Sequence, residues 1–216
     1  MCSSDLSRVS KEQNLEAFFE LNFPGYLKIM VGDGPMLETY KQRYPDVHFT
    51  GFKTGIELAR YYANAEVFVF PSRWETFGLV MIEAMACGIP SIYSDWGAQL
   101  EFAKNMGLPV KIKGEFPARD DLGNSVVGNY CEPDWEDFKR VLKYSYENFK
   151  QIKDKALLES KFIRDTFTWE NAAKIADRHI SEAVEFNKIS VNCSDKPKLL
   201  YVCPHLSTGG QPQYTL

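Results

Sequence analysis

The sequence predicts an α/β fold built on a doubly wound parallel sheet and completed by C-terminal helices. Three observations carry this expectation. Short apolar runs of the kind that form buried strands recur along the chain, segments with apolar residues at helical spacing separate them, and from Trp135 onward the pattern is almost entirely helical. Strands alternating with helices form βαβ units, whose strands lie parallel.

The elements follow in order. After Arg8-Val9, residues 11–21 place Leu15, Phe18, Phe19 and Leu21 at helical spacing, and residues 26–31 read as a strand. A helix over 36–44, a strand over 47–50 and a helix over 54–63 lead to the apolar run Val67-Phe-Val-Phe70, a buried strand that Pro71 ends. Residues 78–86 carry Leu79, Ile82, Met85 and Ala86 at helical spacing, with Gly88 just past the end as a stop. Residues 90–93, 98–104 and 109–112 continue as strand, helix and strand. Helices are expected over 135–154, 156–165 and 169–187.

Composition excludes several classes. With 216 residues, 44% hydrophobic and 25% charged, the chain can bury one full core. Its net charge of -4, with no block of Lys or Arg, argues against a nucleic-acid partner held by phosphate neutralisation. No apolar run approaches the ~18 residues of a membrane span, and the polar start is not a signal peptide, so a cytoplasmic location is expected. Cys2, Cys87, Cys131, Cys193 and Cys203 are odd in number and scattered, which suits reduced thiols, with Cys87 expected in the core. His48 and His179 lack metal-ligand spacing, and no Asp-x-Asp occurs; no metal site is expected. Gly32-x-Gly34 follows a strand, but position 37, where a dinucleotide fingerprint needs glycine, is Leu; Pro35 reads as the first helical residue after a turn. A nicotinamide cofactor is therefore not expected.

The chemistry concentrates between Phe70 and Pro90. At a helix start the first N–H groups lack intrahelical partners and the macrodipole adds positive charge, so the amides of Phe77, Gly78 and Leu79 can hold a phosphate. Glu75 precedes this helix and Glu83 lies in its second turn. Each taken alone is commonly a dipole-complementing or solvated residue, but Glu83 stands among Ile82, Ala84 and Met85, where an unpaired carboxylate is costly. A ribose would partner it.

Glu75 and Glu83, with seven residues between them, Phe77-Gly78-Leu79 inside and Glu-Ala-Met-Ala-Cys-Gly-Ile-Pro after, resemble the E-x7-E signature of retaining GT-B glycosyltransferases. The resemblance implies a Rossmann-like domain, the C-terminal half of a GT-B fold. It implies Glu75 beside the donor sugar hydroxyls as the catalytic-site residue, the amides of Phe77, Gly78 and Leu79 on the diphosphate, and Glu83 on the ribose. The family also places an Arg and, five residues on, a Lys at the diphosphate. Arg8 matches the first, but the fifth residue on is Gln13, which leaves Lys11 as the substitute or a weakened site. Ser7 stands where the family usually has Gly. Phe52, in Gly51-Phe52-Lys53 after the third strand, lies where the family passes a loop over the nucleobase; stacking there and burial in the core are both open. Asp95, after the next strand, either faces the donor or caps the following helix.

The resemblance covers residues 6–187, taken as a nucleotide-sugar-binding domain. Polar residues 188–197 read as a linker. Residues 198–216, with a strand over Leu199 to Cys203 and the Gly209-Gly210 loop beside His205, resemble the opening of a second GT-B unit; the alternative is an edge strand on the first sheet. The chain is thus expected to be a fragment of a tandem enzyme, without its preceding acceptor domain. The function implied is retaining, metal-independent glycosyl transfer from a nucleoside-diphosphate sugar to a carbohydrate or glycolipid acceptor, with no cofactor, the fragment alone being inactive. The alternatives are a non-catalytic nucleotide-sugar-binding or scaffold subunit and a GT-B nucleotide-sugar epimerase.

Overall fold

The computed structural model describes residues 2–4, 9, 14–21, 25–119 and 125–187, and the structural statements below concern those residues. Strands β1 (Cys2–Ser4), β2 (Lys28–Met30), β3 (His48–Phe49), β4 (Val67–Phe70), β5 (Ser91–Ser94) and β6 (Leu108–Val110) form one sheet in the order β3-β2-β1-β4-β5-β6. Every pairing in it is parallel. Helices α1 (Leu15–Phe19), α2 (Leu37–Arg43), α3 (Gly55–Asn64), α4 (Leu79–Ala86) and α5 (Leu100–Ala103) fall between successive strands. The doubly wound parallel sheet expected from the sequence is present.

The pleat of β4 shows how two cores arise from one strand. Val67 and Val69 point to one side, where they pack with Leu15, Phe18 and Phe19 of α1 and Tyr40 of α2. Phe68 and Phe70 point to the other, among Tyr62 of α3, Met81, Ala84 and Met85 of α4, and Phe102 of α5. Successive side chains of a strand alternate faces, so an all-apolar strand requires cover on both. Ile92 and Tyr93 of β5 divide in the same way. Phe68 and Phe70 are fully buried, and each such side chain contributes about 2 kcal/mol through the water it no longer orders.

Three features depart from the sequence reading. β1, a short polar segment, occupies the middle of the sheet, paired with β2 and β4. After β6 the chain makes an antiparallel hairpin, β7 (Ile112–Arg119) with β8 (Ser125–Pro133). The two helices expected over 135–154 and 156–165 are α6 (Trp135–Glu147) and α7 (Phe149–Thr166), parted earlier, at Asn148, whose side-chain amide donates to the Tyr144 carbonyl at 3.0 Å. Asp134 caps α6 by accepting from the amides of Glu136 and Asp137 at 3.0 and 3.3 Å. Phe138, Val141 and Leu142 of α6 join the valine-side core.

The chain divides into two compact units, residues 1–163 and 164–216. Within the second, α8 (Trp169–Asn187) begins where the Asn171 amide donates to the Thr168 hydroxyl at 3.1 Å. The expected linker over 188–197 and second unit over 198–216 lie outside the described residues.

Candidate functional site

In this strand order the chain leaves β1 for β2 on one side, and β4 lies on its other side. The crevice outside the carboxyl ends of the strands at such a reversal is where open α/β sheets hold ligands. The loop from Pro71 to Gly78 leaves β4 there and carries Glu75 into α4. Local sequence dictates this turn: Pro71 cannot donate to a ladder, and Gly78, at φ 88 and ψ 49, takes the left-handed conformation that starts the helix.

Glu75 folds back on the loop. Its Oε1 accepts from the Thr76 amide at 2.8 Å, the Thr76 hydroxyl at 3.3 Å and the Phe77 amide at 3.3 Å. A carboxylate therefore already sits at the start of this turn, and the Phe77 amide assigned to a phosphate is engaged by Glu75. The helical ladder begins with the amides of Met81 and Ile82 on the Gly78 carbonyl, at 3.0 and 3.2 Å. Gly78 and Leu79 precede it, no side chain caps α4, and its first turn holds no acidic residue. An uncapped helix start of this kind suits an external anion. Leu79 is exposed, and the Phe77 ring packs edge-on against Phe102 at 5.5 Å.

Glu83 differs from expectation. It lies on the exposed side of α4, and its partner is protein: the Tyr62 hydroxyl of α3 lies 2.7 Å from Oε2. Contrary to the expectation from sequence, burial does not leave Glu83 in need of a ribose: Ala84 and Met85 beside it face the core while Glu83 itself faces outward. Tyr62 was not singled out from the sequence; its alignment with Glu83 depends on how α3 and α4 pack, which local pattern does not show.

The remaining residues distribute as follows. Phe52 is 72% exposed in the loop after β3, so of its two readings burial is ruled out. That loop is tied to the turn after β2 by the Gly32 amide on the Gly51 carbonyl at 3.1 Å. Asp95 is exposed and does not cap α5, whose N-cap is Gln99. Gln99, buried at the carboxyl end of β5, donates to the Ser94 carbonyl at 3.0 Å, and its Oε1 has no partner among the described residues. Arg8 and Lys11 lie outside the described residues. Val9, however, is fixed: its amide donates to the Asp33 carbonyl at 3.0 Å and its carbonyl accepts from Met36 at 3.2 Å. Gly34 permits this approach, since a Cβ there would stand 2.6 Å from the Val9 carbonyl oxygen. The Gly-Asp-Gly turn is thus a packing device.

Cys87, expected in the core, is exposed at the end of α4, whereas Cys131 of β8 is buried. A groove of about 420 Å³ opens between α3 and the β2–β3 half of the sheet, lined by Ile29, His48, Lys53, Arg60 and Tyr61. Neither Glu75 nor Glu83 lines it. Among the described residues no cluster of His, Cys, Asp or Glu could hold a metal ion, and no helix is long and apolar enough to cross a membrane.

The fold and this loop define an α/β domain with an anion-ready helix start at its switch point. Residues 16–114 match the family described as Glycosyl transferases group 1. A GDP-mannose-dependent alpha-mannosyltransferase of Corynebacterium glutamicum is 32% identical over 143 residues, covering 62% of this chain and 34% of that protein. Among solved structures, sucrose-phosphate synthase from Thermosynechococcus elongatus superposes with a TM-score of 0.64 at 22% identity, over 86% of this chain and 45% of that one. An Anabaena protein solved in complex with UDP-glucose gives 0.60 at 18% identity, over 86% of this chain and 48% of the other. The fold is GT-B-like, and the chain spans about a third of the mannosyltransferase and under half of either structural neighbour.

Proposed function

We propose that this chain is the donor-binding part of a retaining glycosyltransferase of the E-x7-E group, holding a nucleoside-diphosphate sugar at the carboxyl ends of β1 and β4. The observation that carries the reading is the start of α4, which has no side-chain cap and no acidic first turn, yet stands between two glutamates at the switch point. A diphosphate satisfies the amides of Gly78 and Leu79 directly. It reaches the Phe77 amide when the Glu75 carboxylate turns from its own loop to the sugar hydroxyls. Glu83, already accepting from Tyr62 on Oε2, keeps Oε1 for a ribose hydroxyl. Phe52, exposed at the third strand end, stacks on the base, and Arg8 with Lys11 neutralises the diphosphate.

The family match supports this, as do relatives described as a GDP-mannose-dependent mannosyltransferase and a protein solved with UDP-glucose. In the reaction, negative charge grows on the departing diphosphate, and preorganised amides and cations stabilise it without a metal or cofactor. Glu75 orients the sugar; no side chain attacks it. The acceptor, a carbohydrate or glycolipid, is supplied with residues beyond this domain.

Calorimetric titration of the chain with UDP, GDP and their sugars tests the site. Glu83→Ala and Arg8→Ala are expected to lower affinity for the nucleoside diphosphate about tenfold each, the scale of one lost charge-assisted hydrogen bond. Unchanged affinity in both would overturn the assignment.

A further inference from the structure

We infer that Glu132, on the hairpin strand β8, is a positioning residue for Glu75: it holds Arg73 and thereby the loop that presents Glu75 to the donor sugar. This rests on the donor-site reading above.

Each carbonyl leading into Glu75 is held. The Ser72 carbonyl accepts from the Ser94 hydroxyl at 3.1 Å and lies 3.9 Å from the Cys131 thiol. The Arg73 carbonyl accepts from the Cys131 amide at 3.0 Å, and the Trp74 carbonyl from the Ser72 hydroxyl at 2.9 Å. Two of these ties, the Cys131 amide and thiol, come from β8, more than fifty residues further along the chain. The side chains repeat the connection: Nη2 of Arg73 lies 2.6 Å from Oε2 of Glu132, whose Oε1 accepts from the Trp135 indole at 3.3 Å. Nε of Arg73 is buried with no acceptor, and Glu132 is the one carboxylate in ion-pair range of that guanidinium, both among the described residues.

Among the described residues Glu75 itself is bonded only within its own turn, to Thr76 and Phe77. Its placement relative to the sheet therefore depends on residues 72–74. A sequence-local loop free to drift by an ångström loses the alignment a sugar hydroxyl requires. The hairpin base is in turn fixed to α6, through the Asp134 amide on the Lys111 carbonyl at 2.8 Å and the Lys111 amide on Asp137 at 3.0 Å. The Glycosyl transferases group 1 match ends at residue 114, so β8 lies beyond the matched stretch.

The test is saturation-transfer NMR on the purified chain with UDP-glucose and GDP-mannose as probes. In wild type, saturation reaches both base and hexose protons of the donor that binds. In Glu132→Gln, base and ribose signals persist while hexose signals are lost, a split that a general loss of folding would not produce. Arg73→Lys, which keeps the cation but not the planar fork, decides the matter in the same way if Glu132→Gln does not melt as wild type does. Hexose signals retained in the deciding variant, or base and hexose signals falling together, would overturn the inference and leave the donor site standing. Wild-type silence with both probes would overturn the donor site and this inference with it.

Discussion

The Tyr62 hydroxyl lies 2.7 Å from Oε2 of Glu83 and 3.3 Å from the Val80 carbonyl, joining α3 to α4. The hydroxyl has one proton, and the shorter contact takes it. Tyr62→Phe keeps the buried ring and deletes this bond, so it is expected to destabilise by about 1 kcal/mol. Urea midpoints of Tyr62→Phe, Glu83→Ala and the double variant form a cycle; a coupling of about 0.5 kcal/mol or more marks the bond, and strict additivity would show that it contributes nothing.

Gly34 is a second point of pressure. A methyl group there meets the Val9 carbonyl oxygen at 2.6 Å and the Val9 nitrogen at 2.7 Å, both backbone atoms that cannot turn aside. Gly34→Ala must push the two segments apart and strain the bonds from Val9 to Asp33 and Met36. The expected cost is about 1–3 kcal/mol, read as a lower urea midpoint.

At Gly78 the reason for glycine is different. An added Cβ meets only ordinary contacts, 3.5–3.7 Å from Phe70, Glu75 and Phe102, but φ is +88. Gly78→Ala is therefore expected to cost about 1–2 kcal/mol through the backbone alone. Asn, which tolerates the left-handed region, should cost less than Val in thermal melts. An equal cost for Asn and Val would show that crowding decides the position.

Cys131 makes stability fall at alkaline pH. Burial pushes its thiol up to about 11 from an ordinary value of 9.0. Because the folded state favours the protonated thiol, its contribution is complete below pH 9 and is lost as pH rises toward 11. Cys131→Ala should flatten that part of the stability curve. At pH 8, alkylation followed by peptide mapping should find Cys87 modified in the native protein and Cys131 only after unfolding.

The loop between the two glutamates was legible because its signals are local: an apolar strand, Pro71 after it, Gly78 at the turn and Gly88 beyond the helix. β1 was not, since Cys-Ser-Ser carries no apolar pattern and is a strand only by virtue of its neighbours on both sides. The hairpin is interrupted by Gly114, Pro117 and Gly128, residues that read as breaks in a strand, and its anchors at Ser72 and Arg73 are remote in sequence. The break at Asn148 was hidden because buried positions keep helical spacing through it, from Phe138 and Leu142 to Ile152 and Ala156. Glu83 was placed in the right helix, but its orientation followed from packing against α3.

The central place of β1 shapes how the chain comes together during synthesis. Cys2 to Ser4 pair with Lys28 to Met30, close in sequence, but their other edge needs Val67 to Val69, made much later. Until β4 emerges, the future middle of the sheet is an open border, with unpaired backbone groups able to capture any extended strand nearby. A chain in which β1 and β2 have paired without β4 is therefore prone to mispairing, and docking of β4 is the step that ends that vulnerability.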